Sequence, residues 1–134
     1  MSNRNIPKEK EWVRESFIIG SDQIISEAVN GMLEGAGHHP HIATDGADAV
    51  EVFSRRPFDF DLIVMDVGLQ DISGLRLAEK LLGLRADVPI VLLTGEAGQT
   101  QSRERNSGIR YFGMKPLSIA DLAQTVEKAL TGAA

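Results

Sequence analysis

Leu62-Ile63-Val64-Met65-Asp66 runs four apolar side chains without a break into a carboxylate. A run this short, bounded by polar residues, reads as a strand buried on both faces, as in the interior of a parallel sheet. Asp66 then stands at the carboxyl end of that strand. Open α/β sheets place their chemistry there, in the crevice beyond the strand ends.

Working outward from this strand, the same pattern repeats. Upstream, Ser16 to Gly20 is a short buried strand, and Ile24, Ile25, Ala28, Val29, Met32, Leu33 and Ala36 follow at helical spacing up to Gly37, which stops the helix. His41-Ile42-Ala43 is a weak second strand, Asp45 a helix cap, and Val50 and Phe53 anchor a short helix that Pro57 ends. Downstream, Val67 to Ser73 is a loop, and Leu77, Ala78, Leu81 and Leu82 mark a third helix. Pro89 to Leu93 is an all-apolar strand ending at Thr94. Gly98 to Gly108 carries no apolar side chain larger than threonine, so a helix there has nothing to bury and the segment is expected to be short or mobile. Ile109 to Met114 is a fifth strand ending at Lys115-Pro116, and Ser118 to Asp121 opens a last helix with Ile119, Leu122, Val126 and Leu130 inward. Five strands alternating with helical segments imply a parallel sheet covered on both faces, because each parallel pair needs a right-handed crossover.

Met1 to Glu15 is polar and mixed in charge, and is expected to be a leader, frayed or weakly helical, or the cut end of a linker, ahead of one domain over 16–134. The 134 residues suit one core, with 43% hydrophobic and 25% charged residues. A net charge of -5 argues against a broad surface for nucleic acid or anionic membrane. The absence of cysteine excludes disulfides and thiolate ligands. No apolar run approaches the ~20 residues of a membrane span, and the N-terminus lacks a signal-peptide core, so a cytoplasmic protein is expected.

In such a sheet the loops after the strands share one edge. Gly20-Ser21-Asp22, Asp66, Thr94 and Lys115 therefore converge from four strand ends. That set suits phosphoryl chemistry, with Asp66 as nucleophile, Lys115 as fixed positive charge and Thr94 as a hydroxyl donor to a phosphoryl oxygen. Taken singly, Lys115 reads as a solvated lysine before a turn proline and Asp66 as a capping carboxylate. Their conjunction carries the reading.

From about Phe17 to Leu130 the chain resembles the receiver domain of two-component response regulators. The resemblance rests on Asp61-Leu62-Ile63-Val64-Met65-Asp66 with Gly74 eight residues on, Val91-Leu92-Leu93-Thr94-Gly95, and Lys115-Pro116 after Gly108-Ile109-Arg110. The phrasing around Ser73 to Ala78 and Gly108 to Leu130 is similar to receivers appended to hybrid sensor kinases. The resemblance implies a flavodoxin-like doubly wound five-stranded sheet of order 2-1-3-4-5 and makes Asp66 the acceptor of a phosphoryl group from a histidine kinase or phosphotransfer protein. Thr94 becomes the switch hydroxyl, Lys115 the lysine on the phosphoryl group, and Phe112 the aromatic switch partner. Gly95 matches a position kept small for phosphoryl entry, and Lys115-Pro116 is expected to be cis. Gly68 and Glu96 match positions that bear on hydrolysis of the phosphoryl group. Catalysis would extend to self-phosphorylation and autodephosphorylation at Asp66 at most. With no effector domain expected after the last helix, output is expected to pass to a protein partner of unknown identity through a surface of the fourth helix, fifth strand and fifth helix, unless the chain is cut from a larger protein.

The chain departs from the family at its metal site. The adjacent acids that hold Mg²⁺ after the first strand are replaced by Gly20 and Ser21, with Asp22 one place late. The expected ligands are thus Asp66, the Gly68 backbone carbonyl and, less securely, Asp22, holding a weak Mg²⁺. Gln70 and Ser73 also replace the usual proline and acid, which affects loop stiffness more than chemistry. The alternative is a pseudo-receiver, an interaction module independent of phosphorylation; a small hydrolase on the same fold is a weaker third reading. His38, His39 and His41 are read as exposed, with no acid placed to complete a metal shell. Asp59-Phe60-Asp61 is superficially similar to the paired aspartates of haloacid-dehalogenase-like phosphatases. There the first Asp follows an apolar strand, whereas Ser54-Arg55-Arg56-Pro57 precedes this one, and that reading is set aside.

Overall fold

The computed structural model describes residues 13–95 and 109–132. The segment 98–108, for which a short or mobile element is expected, and Glu96 lie outside the described residues, as do residues 1–12 of the leader.

The described elements run in the order β1 (Arg14–Ile19), α1 (Gln23–Gly35), β2 (His38–Ala43), α2 (Gly46–Arg55), β3 (Leu62–Asp66), α3 (Gly74–Leu84), β4 (Ile90–Thr94), β5 (Tyr111–Met114) and α4 (Ile119–Thr131). The five strands are all parallel and ordered β2-β1-β3-β4-β5. β3 lies at the centre, every one of its residues is buried, and its neighbours are registered so that Asp66 pairs with Leu93, one residue short of Thr94. This is the 2-1-3-4-5 sheet expected from the sequence.

Alternation along the strands divides the interior into two cores. Phe17 and Ile19 of β1, Ile63 and Met65 of β3 and Leu92 of β4 pack with Phe53 of α2 and Leu77 and Leu81 of α3. Ile18, Leu62, Val64, Val91 and Leu93 point the other way, onto Val29 and Leu33 of α1 and Leu122 and Val126 of α4. Burying one such Leu, Ile, Val or Phe side chain stabilises the fold by roughly 1.5–3 kcal/mol. Two buried faces explain why β3 and β4 read as unbroken apolar runs.

Helix starts follow the sequence closely. Asp22, Asp45, Ser73 and Ser118 are the N-caps, each accepting a backbone N–H from the first turn. Gly37 follows α1 with φ of +92°, a conformation that costs glycine little. Ser118→Ala is expected to lower stability by about 1 kcal/mol, measured by denaturant unfolding, because its hydroxyl accepts the Asp121 N–H at 3.2 Å.

Two strands begin earlier than their apolar content indicates. β1 starts at Arg14, inside the expected leader, and β2 at His38 rather than His41. Backbone pairing extends both: Arg14 to Ile19 register with His38 to Ala43 without interruption. Asp61 secures the start of β1, its N–H donating to the Glu15 carbonyl at 2.7 Å and its Oδ2 accepting the Glu15 N–H at 2.8 Å. The expectation of three exposed histidines is corrected here. His38 is 8% exposed and His41 half-buried; only His39 is exposed.

Candidate functional site

Asp66 ends β3 with 5% of its surface exposed. Lys115 follows β5, two strands away, and its Nζ donates to Asp66 Oδ1 at 2.8 Å. The Gly68 N–H reaches the same oxygen at 3.0 Å. One buried carboxylate oxygen thus receives an ammonium and a backbone amide, which offset the cost of holding its charge out of water. Thr94 ends β4 between these strands, 1% exposed, and its carbonyl accepts the Lys115 N–H at 3.0 Å. A carboxylate, a hydroxyl and an ammonium thus come together from the ends of three adjacent strands, β3, β4 and β5. The Lys115-Pro116 peptide is cis.

Gly68 borders the carboxylate, and Gly95 follows Thr94 with open space where a side chain would stand. A Cβ at Gly95 would meet nothing within 4 Å, and one at Gly68 would lie 3.8 Å from Asp66 Oδ1. Phe112 on β5 is half-buried and packs against the core cluster shared by β1, β3, α2 and α3. Gly74 is needed for another reason. Its N–H donates to the Val67 carbonyl at 3.2 Å, and a Cβ there would stand 2.7 Å from Val67 Cα and 3.3 Å from the carbonyl oxygens of Asp66 and Val67. Those neighbours are backbone atoms that cannot rotate aside. Gly74→Ala is expected to cost about 2 kcal/mol by denaturant unfolding, within the usual range for overpacking.

The loop between Asp66 and α3 is also tied to α2. Asp71 accepts the N–H groups of Gly46 at 2.9 Å and Ala47 at 3.0 Å, and these bonds, Gly46 first, hold its carboxyl below the usual carboxylate range. Ile72 packs where a side chain at Gly46 would sit. Nothing in the local sequence signals this contact, since Asp71 and Gly46 lie 25 residues apart.

On the β1 side, Gly20 is buried, and a Cβ there would lie 3.4 Å from Asp66 Cβ. Ser21 is exposed, and its hydroxyl donates to the Gly68 carbonyl at 3.4 Å. Asp22 caps α1, its Oδ1 accepting from Ile24 at 3.0 Å and Ile25 at 3.2 Å. Among the described residues, the Asp66 carboxylate, the Gly68 carbonyl and the Ser21 hydroxyl are oxygen donors on neighbouring segments at this end of the sheet. Such a set fits a largely hydrated Mg²⁺, which keeps several waters and needs only one or two carboxylates.

Comparison with known proteins agrees with this geometry. The family model described as the response regulator receiver domain matches residues 17–127. The chain is 31% identical over 100 residues to the aerobic respiration control sensor protein ArcB of Escherichia coli, covering 72% of this chain and 13% of that protein. It is 30% identical over 95 residues to the two-component response regulator ORR25 of Oryza sativa, covering 70% and 14%. Over 132 residues it is 27% identical to the sensor kinase CckA of Brucella abortus, covering 92% and 14%. The chain thus spans about a seventh of each of these relatives. Among solved structures, a response regulator receiver domain protein from Clostridium thermocellum superposes with a TM-score of 0.82 at 16% identity, covering 90% of this chain and 96% of that one. A CheY-like receiver domain protein from Methanospirillum hungatei gives 0.80 at 26% identity, covering 90% and 95%. With a doubly wound sheet, an Asp66–Lys115 pair at its carboxyl edge and a family match over most of its length, the chain belongs to the response regulator receiver domains of two-component systems.

Proposed function

We propose that Asp66 accepts a phosphoryl group from the phosphohistidine of a histidine kinase or phosphotransfer protein, the partners with which receiver domains interact. The observation that carries this reading is the 2.8 Å contact between Lys115 Nζ and a carboxylate oxygen buried at the end of the central strand. A carboxylate oxygen of Asp66 attacks phosphorus. The N–P bond breaks, and its electron pair returns to the imidazole nitrogen that leaves. Lys115 releases Oδ1 and meets the charge that gathers on the phosphoryl oxygens, while Thr94 supplies a hydroxyl to one of them. The Asp66 carboxylate and the Gly68 carbonyl, with water, would hold Mg²⁺ loosely, and its charge would offset that of the phosphoryl oxygens. Asp22 serves as a helix cap and adds little to that shell.

The acyl phosphate brings a charge of about -1.5 to -2 to a buried strand end. Thr94 moving toward it vacates space that half-buried Phe112 can occupy, so the changed surface is that of the fourth helix, fifth strand and fifth helix, of which β5 and the last helix, α4, are among the described residues, and it is read by a protein partner. Gly68 places no side chain over the acyl phosphate and leaves it open to water.

The second reading, an interaction module that is never phosphorylated, draws on Gly20 and Ser21 standing where receivers carry acids. Incubation with Mg²⁺ and acetyl phosphate, or with a phosphorylated kinase, followed by intact-mass measurement separates the two. The expected result is one phosphoryl adduct, absent in Asp66→Asn and in protein kept in EDTA. An unmodified mass at saturating Mg²⁺ with both donors favours the interaction module.

A further inference from the structure

We infer that the chain carries a binding site for a first-row transition-metal dication, of the Zn²⁺ type, formed by Glu15, His39 and His41. It lies at the opposite edge of the sheet from Asp66. Glu15 is near the amino end of β1, level with Asp61, and Asp66 lies five positions on from Asp61 at the far end of β3, roughly 16 Å at the usual strand rise.

The parallel register builds the cluster. Glu15 pairs with His39, and His41 falls two residues on, so both imidazoles stand on one face of the edge strand beside the carboxylate. His39 Nδ1 lies 3.1 Å and His41 Nε2 2.6 Å from the same oxygen, Glu15 Oε1. The three donor atoms all lie within 4.8 Å of one another. Donors around one tetrahedral Zn²⁺ sit about 3.3 Å apart, given Zn–N distances of about 2.0–2.1 Å, so small side-chain rotations close the shell. Two imidazoles and one carboxylate, with the remaining positions open to water on the exposed side of His39, form a set that selects this class of ion over Mg²⁺ or Ca²⁺.

The ligands are also held from behind. Asp61 fixes the Glu15 backbone through a bond at its N–H and another at its carbonyl. His41 stands edge-on to Phe60 with ring centroids 5.4 Å apart, and Phe60 is 1% exposed and stacked on Phe17 at 4.8 Å. The His41 ring is thereby oriented by a rigid aromatic wall, which lowers the ordering cost of binding. Coordination through His39 Nδ1 and His41 Nε2 requires each ring to be neutral, with its proton on the other nitrogen.

The test is Zn²⁺ titration of the full chain, stripped with EDTA and held in excess Mg²⁺ to occupy the Asp66 site, followed by calorimetry and by the ring resonances of the histidines. One equivalent is expected to bind, with His39 and His41 shifting and His38 unmoved. His39→Ala, His41→Ala and Glu15→Gln should each weaken binding at least tenfold, since loss of a ligand should cost no less than the roughly tenfold loss seen when a ligand's hydrogen-bond partner is removed. Asp66→Asn should leave binding unchanged. Absence of binding at millimolar Zn²⁺ by folded wild-type protein overturns the site, as does binding that survives His39→Ala and His41→Ala together or is lost in Asp66→Asn.

Discussion

Lys115→Met is expected to lower the unfolding free energy by about 3 kcal/mol, the low end of the range for breaking a buried ion pair from one side. Asp66→Asn should cost under about 1 kcal/mol, the ordinary net value of one hydrogen bond, although it removes the same 2.8 Å contact. The difference follows from where each partner is left. The side chain of Asp66 is 6% exposed and that of Lys115 28%. Without Lys115 the carboxylate stays in place with the Gly68 N–H as its remaining described contact on Oδ1, and its charge is poorly solvated. Without the carboxylate charge, the lysine needs only to swing its ammonium toward solvent. The double variant should match Asp66→Asn alone, giving a coupling of about 3 kcal/mol in the cycle, the whole cost of Lys115→Met. Urea unfolding followed by circular dichroism measures all four proteins. Equal costs for the two single variants would show that the pair is solvated and that Asp66 is not held charged in a dry strand end.

The same asymmetry explains why Asp66 stands out in the amino-acid sequence. A carboxylate at the end of four apolar residues is costly unless something compensates it, and the candidates at the neighbouring strand ends are Thr94 and Lys115. A parallel sheet covered on both faces follows from the apolar runs, because β3 and β4 are buried throughout, whereas the strand order comes from the family resemblance. Polar strand ends are the harder case. Arg14, Glu15, His38 and His39 carry no apolar signal, and their strand conformation comes from pairing with a neighbour and from Asp61. For that reason the Glu15–His39–His41 cluster is invisible in the sequence. Its only trace is two histidines at strand spacing, and the matching acid lies 24 residues before His39, on a strand whose register has to be known. Long-range polar contacts escape for the same cause. Arg85, just past α3, donates to the carbonyls of Pro57 and Phe60 and pins the turn before β3, yet nothing near it in sequence marks that role.

Asp22 has a structural role beside the expected metal site, as the N-cap of α1. An acid close to the expected position invites assignment as a ligand, but its Oδ1 already serves two backbone N–H groups at the start of α1. Position 21 is the better place to restore a ligand, because the Ser21 hydroxyl already reaches the Gly68 carbonyl oxygen at 3.4 Å. Ser21→Asp is therefore expected to raise Mg²⁺ affinity at least tenfold, equivalent to about 1.4 kcal/mol. In EDTA the same substitution should lower the melting temperature, because a second carboxylate then faces buried Asp66 and the Gly68 carbonyl with no cation between them. Mg²⁺ should reverse the loss, so the order of stability of wild type and variant changes with metal. Asp22→Ala supplies the contrast: the loss of a helix cap lowers stability by about 1 kcal/mol, while Mg²⁺ affinity stays as in wild type. Melting curves across a Mg²⁺ titration read both effects. If Ser21→Asp leaves affinity unchanged and Asp22→Ala abolishes it, the cation is held by Asp22, and the loosely ligated, largely hydrated ion proposed for this receiver is wrong.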